Sequence, residues 1–162
     1  MTVWFIDTSV LDYIIPVSGW SKDEVRKAEL VELMAKRTRL SDTFVLPITA
    51  VVETGNHICQ VKDGALRRKA AEKLDEILRM VIDGSAPWVL DDVDWDAKFL
   101  REFLDGASSG SSWIDLATQG RGGMGGGDLA LLVERDQYVA RTGIDSDHVR
   151  VWTLDGGLEA HS

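Results

Sequence analysis

Four acidic residues fall at positions where an alternating strand–helix chain gathers its chemistry. Asp7 directly follows the apolar segment 2–6 (TVWFI), and Glu53 lies about one helical turn beyond the segment 44–48. Asp128 stands where a glycine-rich loop gives way to a helix, and Asp155 follows the segment 149–153 (VRVWT). In an open parallel sheet, groups just past the carboxyl ends of the strands converge on one crevice. Four carboxylates are therefore expected at one edge of a sheet. Anions gathered there repel one another and lose hydration, so the cluster persists only with a positive charge in it or with some members protonated. Oxygen-only ligands, with no Cys or His in the set, select Mg²⁺ or Mn²⁺. Such an ion lowers the pKa of a bound water and clamps a phosphate.

The elements that must position these acids read as follows. Residues 2–6, 44–48, 88–90 and 149–153 are short apolar runs of the kind found in strands buried on both faces. Thr8 or Ser9 is expected to cap a short helix through Tyr13. Residues 21–40 form the clearest helix, opened by a capping box of Ser21 and Glu24 and carrying Val25, Ala28, Val31 and Ala35 along one stripe. Thr49 is expected to cap a helix through about Val61. Further helices are read over 65–81, 92–104 and 128–141. Residues 113–119 (WIDLATQ) suit a strand or a short helix equally, and 120–127, with six glycines, suit no regular structure. Four of the six tryptophans, Trp4, Trp88, Trp113 and Trp152, lie in or beside these strands and read as core. Strands alternating with helices imply an α/β fold with a parallel sheet covered on both faces.

Composition narrows the class. The chain has 162 residues, which suits one domain over 1–162, and a net charge of −9 from 18 basic and 27 acidic residues. One cysteine, Cys59, excludes a disulfide framework and points to a reducing compartment; it reads as a small buried apolar residue. No apolar run is long enough for a membrane span, and MTVWFIDTSV lacks the basic and apolar stretches of a leader, so a cytoplasmic protein without membrane contact is expected. The acidic balance gives little general affinity for nucleic acid.

The motifs WFIDTSVL, PITAVVETGNHI, GGGDLALLVE and VWTLDGGL, in this order, resemble those of the PIN-domain ribonucleases, which include the VapC-type toxins of bacterial toxin–antitoxin pairs. The resemblance spans nearly the whole chain. It implies a three-layer α/β/α sandwich around a parallel sheet of four or five strands, with 113–119 available as an edge strand. It also implies frequent homodimers. By the same resemblance Asp7, Glu53, Asp128 and Asp155 hold Mg²⁺ or Mn²⁺ and activate water for cleavage of RNA. Thr8 or Ser9, with Thr153, then orient the carboxylates, and a small antitoxin protein is the expected partner. Asp115 is an alternative or supplement to Asp128, and Arg121, in the glycine-rich stretch, is placed to touch an RNA phosphate.

Other patterns carry less. Gly120, Gly122 and Gly125 match G-x-G-x-x-G, but late in the chain and beside Asp128, which repels phosphate. The run from Asp92 to Asp96 has Ala97 and Phe103 where a calcium loop needs Gly and Glu. Arg67, Arg68 and Lys69 read as a solvated helix face, and His57, four residues after Glu53, as a neighbour on the same helix face. Two other functions fit the sequence: a PIN-like module that binds without cutting, and a phosphohydrolase with Asp7 as nucleophile. The second is weakened by Ser9, which stands where such enzymes carry a second Asp.

Overall fold

In a computed structural model, which describes residues 1–120 and 123–161, strands and helices alternate along most of the chain. Strand β1 (Val3–Ile6) leads into α1 (Thr8–Ile14) and α2 (Glu24–Arg39), then β2 (Thr43–Val45), α3 (Ile48–Gln60), α4 (Gly64–Ile82) and β3 (Trp88–Val89). Helices α5 (Ala97–Asp105), α6 (Trp113–Thr118) and α7 (Gly126–Thr142) follow, then β4 (Val149–Trp152) and α8 (Gly156–Glu159). The four strands are all parallel, in the order β3-β2-β1-β4. The chain thus winds to one side of β1 and finishes on the other. The strand order reverses between β1 and β4, which puts a crevice at their carboxyl ends.

The strands are continuously apolar because both faces are covered, and their period of two divides the core. Ile6, Phe44, Trp88 and Trp152 point to one face, where they pack with Leu11, Ile58 and Ile77 of α1, α3 and α4. Val3, Phe5, Val45, Val149 and Val151 point to the other, against Leu116, Leu129, Leu132 and Leu158 of α6, α7 and α8. Helix α7 is apolar all round over 129–133 because it is covered twice there: Ala130 and Val133 also meet Phe99 of α5. The result is a three-layer α/β/α sandwich. Phe5, Phe44 and Phe99 are wholly buried, each contributing about 1.5–3 kcal/mol of transfer free energy. No helix among the described residues is long and apolar enough to cross a membrane.

Several local expectations are corrected. The second strand stops at Val45 rather than residue 48, because Pro47 lacks an N–H and its φ of −61° already suits the start of α3. Thr49 therefore lies inside α3 and does not cap it. Helix α2 is capped by Asp23, whose carboxylate accepts from Arg26 N–H, while Ser21 is buried and donates to the Val17 carbonyl. The stripe of Val25 and Val31 faces solvent; Leu30, Leu33 and Met34 pack inward instead. Those three bury more apolar area than two valines and two alanines, so packing chooses their side. Residues 113–119 go to helix α6, which leaves four strands and takes Trp113 away from the sheet, onto Phe103. Gly126 and Gly127 open α7, so the last two glycines of 120–127 are helical. Cys59 is exposed.

Candidate functional site

Strand β1 delivers Asp7 to the crevice between β1 and β4. Its N–H donates to the Trp152 carbonyl at 3.0 Å, and its side chain, not that of Thr8 or Ser9, caps α1. One carboxylate oxygen, Oδ2, accepts from Ser9 Oγ at 2.6 Å, from Thr153 Oγ1 at 2.9 Å and, more loosely, from Ser9 N–H at 3.4 Å. The same hydroxyls tie the two strand ends together. Ser9 Oγ accepts from Leu154 N–H at 3.0 Å, and Thr153 Oγ1 from Asp155 N–H at 2.9 Å. Ser9 and Thr153 are thus the pair that orients Asp7.

Thr8 serves a different acid. Its hydroxyl donates to Glu53 Oε2 at 2.7 Å and so joins α1 to α3. The other Glu53 oxygen lies against Gly127 at the start of α7, where a Cβ would stand 2.5 Å from Oε1. Asp128 follows immediately. Its Oδ2 accepts from Gly125 N–H at 3.1 Å, closing the first turn of α7 from within. Asp155 caps the short α8 by accepting from Gly157 N–H at 2.8 Å. Each of the four acids therefore has one oxygen fixed by a donor of the protein.

Three of the four acids act electrostatically on the fourth, Asp128. The Asp128 carboxyl is pushed up to about 6, chiefly by burial; the Gly125 N–H opposes the shift, and the charges on Asp7, Asp155 and Glu53 add to it. Among the described residues, no Lys, Arg or His forms an ion pair with any of them. Asp7 is buried, whereas Glu53 and Asp155 are exposed, so the crevice is open to solvent. The donor set suits a hard divalent cation in kind, being made of oxygen alone. Among the described residues, however, no three His, Cys, Asp or Glu side chains are gathered tightly enough to hold a metal ion. Asp115 stays with α6, where its carboxylate accepts from Ser112 Oγ, and it is not among the charges acting on Asp128. Arg121 lies outside the described residues.

A second rung between α1 and α3 escapes the sequence reading. Asp12 stands four residues after Thr8, as His57 does after Glu53, and Asp12 Oδ2 meets His57 Nδ1 at 2.8 Å. Trp20 stacks on the imidazole at 4.5 Å. Burial raises the Asp12 carboxyl, His57 opposes this, and the charges on Asp7 and Glu53 raise it further. The matching spacing of four on both helices is the signal that pairs them, but only the packing of α1 on α3 sets the two rungs side by side. Compared with protein-family models, with curated proteins and with solved structures, the chain matches none, and its site stands on its own geometry.

Proposed function

We propose that this protein is a divalent-metal-dependent endoribonuclease of the PIN type. One observation supports the reading: the charges on Asp7, Glu53 and Asp155, from three separate segments, all act on the Asp128 carboxyl, and none of the four has a basic ion-pair partner among the described residues. Clustering of this kind is costly without a counter-charge, and the cost supports a cation as the missing member. When bound, Mg²⁺ or Mn²⁺ supplies an acidified water and neutralises phosphate charge. Asp7, Asp128 and Asp155 are the residues that would hold it, with Glu53 beside them. Ser9 and Thr153 fix the rotamer of Asp7, and Thr8 fixes that of Glu53. Hydrolysis in this reading is in-line attack of a water oxygen on phosphorus. The bond from phosphorus to the 3′-oxygen breaks, and that oxygen takes up a proton. The products are a 5′-phosphate and a 3′-hydroxyl. Incubating the chain with single-stranded RNA and Mg²⁺ should yield 5′-phosphorylated fragments, and EDTA should stop their appearance. Cleavage that persists in EDTA, or that leaves a 2′,3′-cyclic phosphate, sinks the metal reading.

A second reading, a binding module of the same fold without hydrolysis, draws support from the absence of three tightly gathered ligands among the described residues. Cleavage by the unaltered chain separates the two, and Gly127 tests the part that Glu53 plays in the first. In Gly127→Ala the new methyl meets the Glu53 carboxylate and must displace it. Ala favours a helix interior over Gly by about 0.5–1 kcal/mol, which offsets strain on the Thr8–Glu53 hydrogen bond, so the melting temperature should change little. RNA cleavage should fall by about ten-fold or more, as expected when a catalytic group is misplaced by an ångström. Unchanged cleavage in a folded variant removes Glu53 from the mechanism.

A further inference from the structure

Beside the acidic crevice, and sharing Glu53 and Gly127 with it as a wall, lies an apolar hollow of about 410 Å³. Ile48, Val52, Trp95, Phe103 and Ala130 provide most of its remaining surface. Trp95 is 65% exposed, although a neighbouring ring, Phe99, packs against it at 4.7 Å. Ile48 and Val52 are each 56% exposed on the same side. These side chains leave an aromatic ring and two aliphatic side chains open to solvent in the hollow that Glu53 also lines.

We propose that this hollow binds one unpaired nucleobase of the substrate strand, next to the phosphate held at the acids, and that it prefers a base bearing an exocyclic amino group. The proposal rests on the nuclease reading and names a subsite of it. Three observations select this occupant. Glu53 lines the hollow and its charge also acts on Asp128, so the hollow and the acids share one residue, and a nucleotide whose phosphate lies at the acids has Trp95 on the far side of Glu53 for its base. An open indole face stacks on any base, but only on one free of a duplex. The one charged residue lining the hollow is Glu53, and Thr49 is its other residue with a polar side chain besides the Trp95 indole. No lining residue is basic, so a phosphate backbone is repelled there. A carboxylate in the wall rewards the amino groups of adenine and cytosine, as carboxylates do when they read cytosine N4, and opposes the carbonyl oxygens of uracil.

The test is titration of the full chain in Mg²⁺ with short oligoadenylate, oligocytidylate and oligouridylate, following tryptophan emission and cleavage in the same samples. Quenching by the first two, at about ten-fold lower concentration than by oligouridylate, is expected. Trp95→Ala should abolish both the quenching and the preference, and Trp95→Phe should keep part of each. The rate on oligoadenylate should drop about ten-fold in Trp95→Ala, while the Mg²⁺-dependent rise in melting temperature without RNA, which involves no aromatic ligand, stays unchanged. Trp95 is exposed, so unaltered circular dichroism is expected for both variants. RNA cleavage that ignores Trp95 overturns the base site and leaves the nuclease standing. Quenching that depends on Trp95 without any cleavage does the reverse. Quenching by a basic apolar peptide but by none of the oligonucleotides overturns the proposal and makes the hollow a protein-docking surface.

Discussion

Asp7→Asn should reduce RNA cleavage by about 10³-fold or more while leaving the metal-free protein at least as stable as before. Asn has the shape of Asp, and its amide oxygen still accepts from Ser9 and Thr153, so the cap of α1 and the tie between β1 and β4 survive. What disappears is one negative charge, and that charge acts unfavourably on both Asp12 and Asp128. In EDTA the variant should therefore melt at or above the temperature of the wild type. Excess Mg²⁺ should invert the order. A ligand at one hundred times its dissociation constant stabilises the folded state by about 2.7 kcal/mol, and the variant forfeits most of that gain. The kinetic loss follows because a bound cation contributes several kcal/mol to a phosphoryl transition state and each 1.36 kcal/mol is ten-fold in rate. Calorimetric melting with and without Mg²⁺, alongside the cleavage assay, reads both effects. A Mg²⁺-dependent rise in melting temperature that is as large in Asp7→Asn as in the wild type excludes Asp7 from the cation site.

The largest stability effect is expected away from the crevice, at Glu134. This residue of α7 is 1% exposed. Its Oε1 accepts from Ile48 N–H at 3.3 Å, taking the place of the side-chain cap that Pro47 cannot provide for α3. Its Oε2 is buried with no partner. Burial pushes the carboxyl up to about 7, the Ile48 N–H opposes the shift, and the charge on Asp91 adds to it. A folded-state value above the unfolded one of 4.5 means that the contribution of this group to stability is complete below about pH 4.5 and is lost as pH rises through 7. Above pH 7 the fold holds an ionised, half-satisfied glutamate. Glu134→Gln keeps an acceptor for Ile48 and cannot ionise. Its stability relative to the wild type should therefore grow between pH 5 and pH 8, by on the order of 2–3 kcal/mol. Urea denaturation at those two pH values measures the difference, and an advantage independent of pH rejects the account.

These two residues differ in how far they could be seen in advance. Asp7 is visible because a buried strand is a local pattern: TVWFI is apolar throughout, and the first polar residue after it must lie at the strand end. Asp155 is visible for the same reason after VRVWT, and Asp128 because glycines mark the approach to a helix. Glu134 is invisible. It sits in ALLVERDQ with nothing to distinguish it from a surface acid, and only the docking of α7 against the start of α3 makes it a buried cap. Asp12 is hidden likewise in LDYII until His57 and Trp20 close over it.

The hydroxyls show the same division. That Thr8, Ser9 and Thr153 attend the acids follows from the resemblance and from their adjacency to strand ends. Which hydroxyl holds which acid does not, since Thr8 reaches across to α3 while Ser9 turns back to Asp7. The inward face of α2 is another such choice, made by the size of Leu30, Leu33 and Met34 against the layer beneath. The amino-acid order alone determined the strand–helix alternation, the parallel three-layer architecture and the segments that carry the acids, because each depends on periodicity and on neighbours a few residues away. The tertiary structure alone decided the pairing of Thr8 with Glu53, the burial of Glu134 and the placing of Trp95 and Glu53 in one hollow. Each of these needs side chains distant in sequence to meet, and no local pattern encodes that meeting.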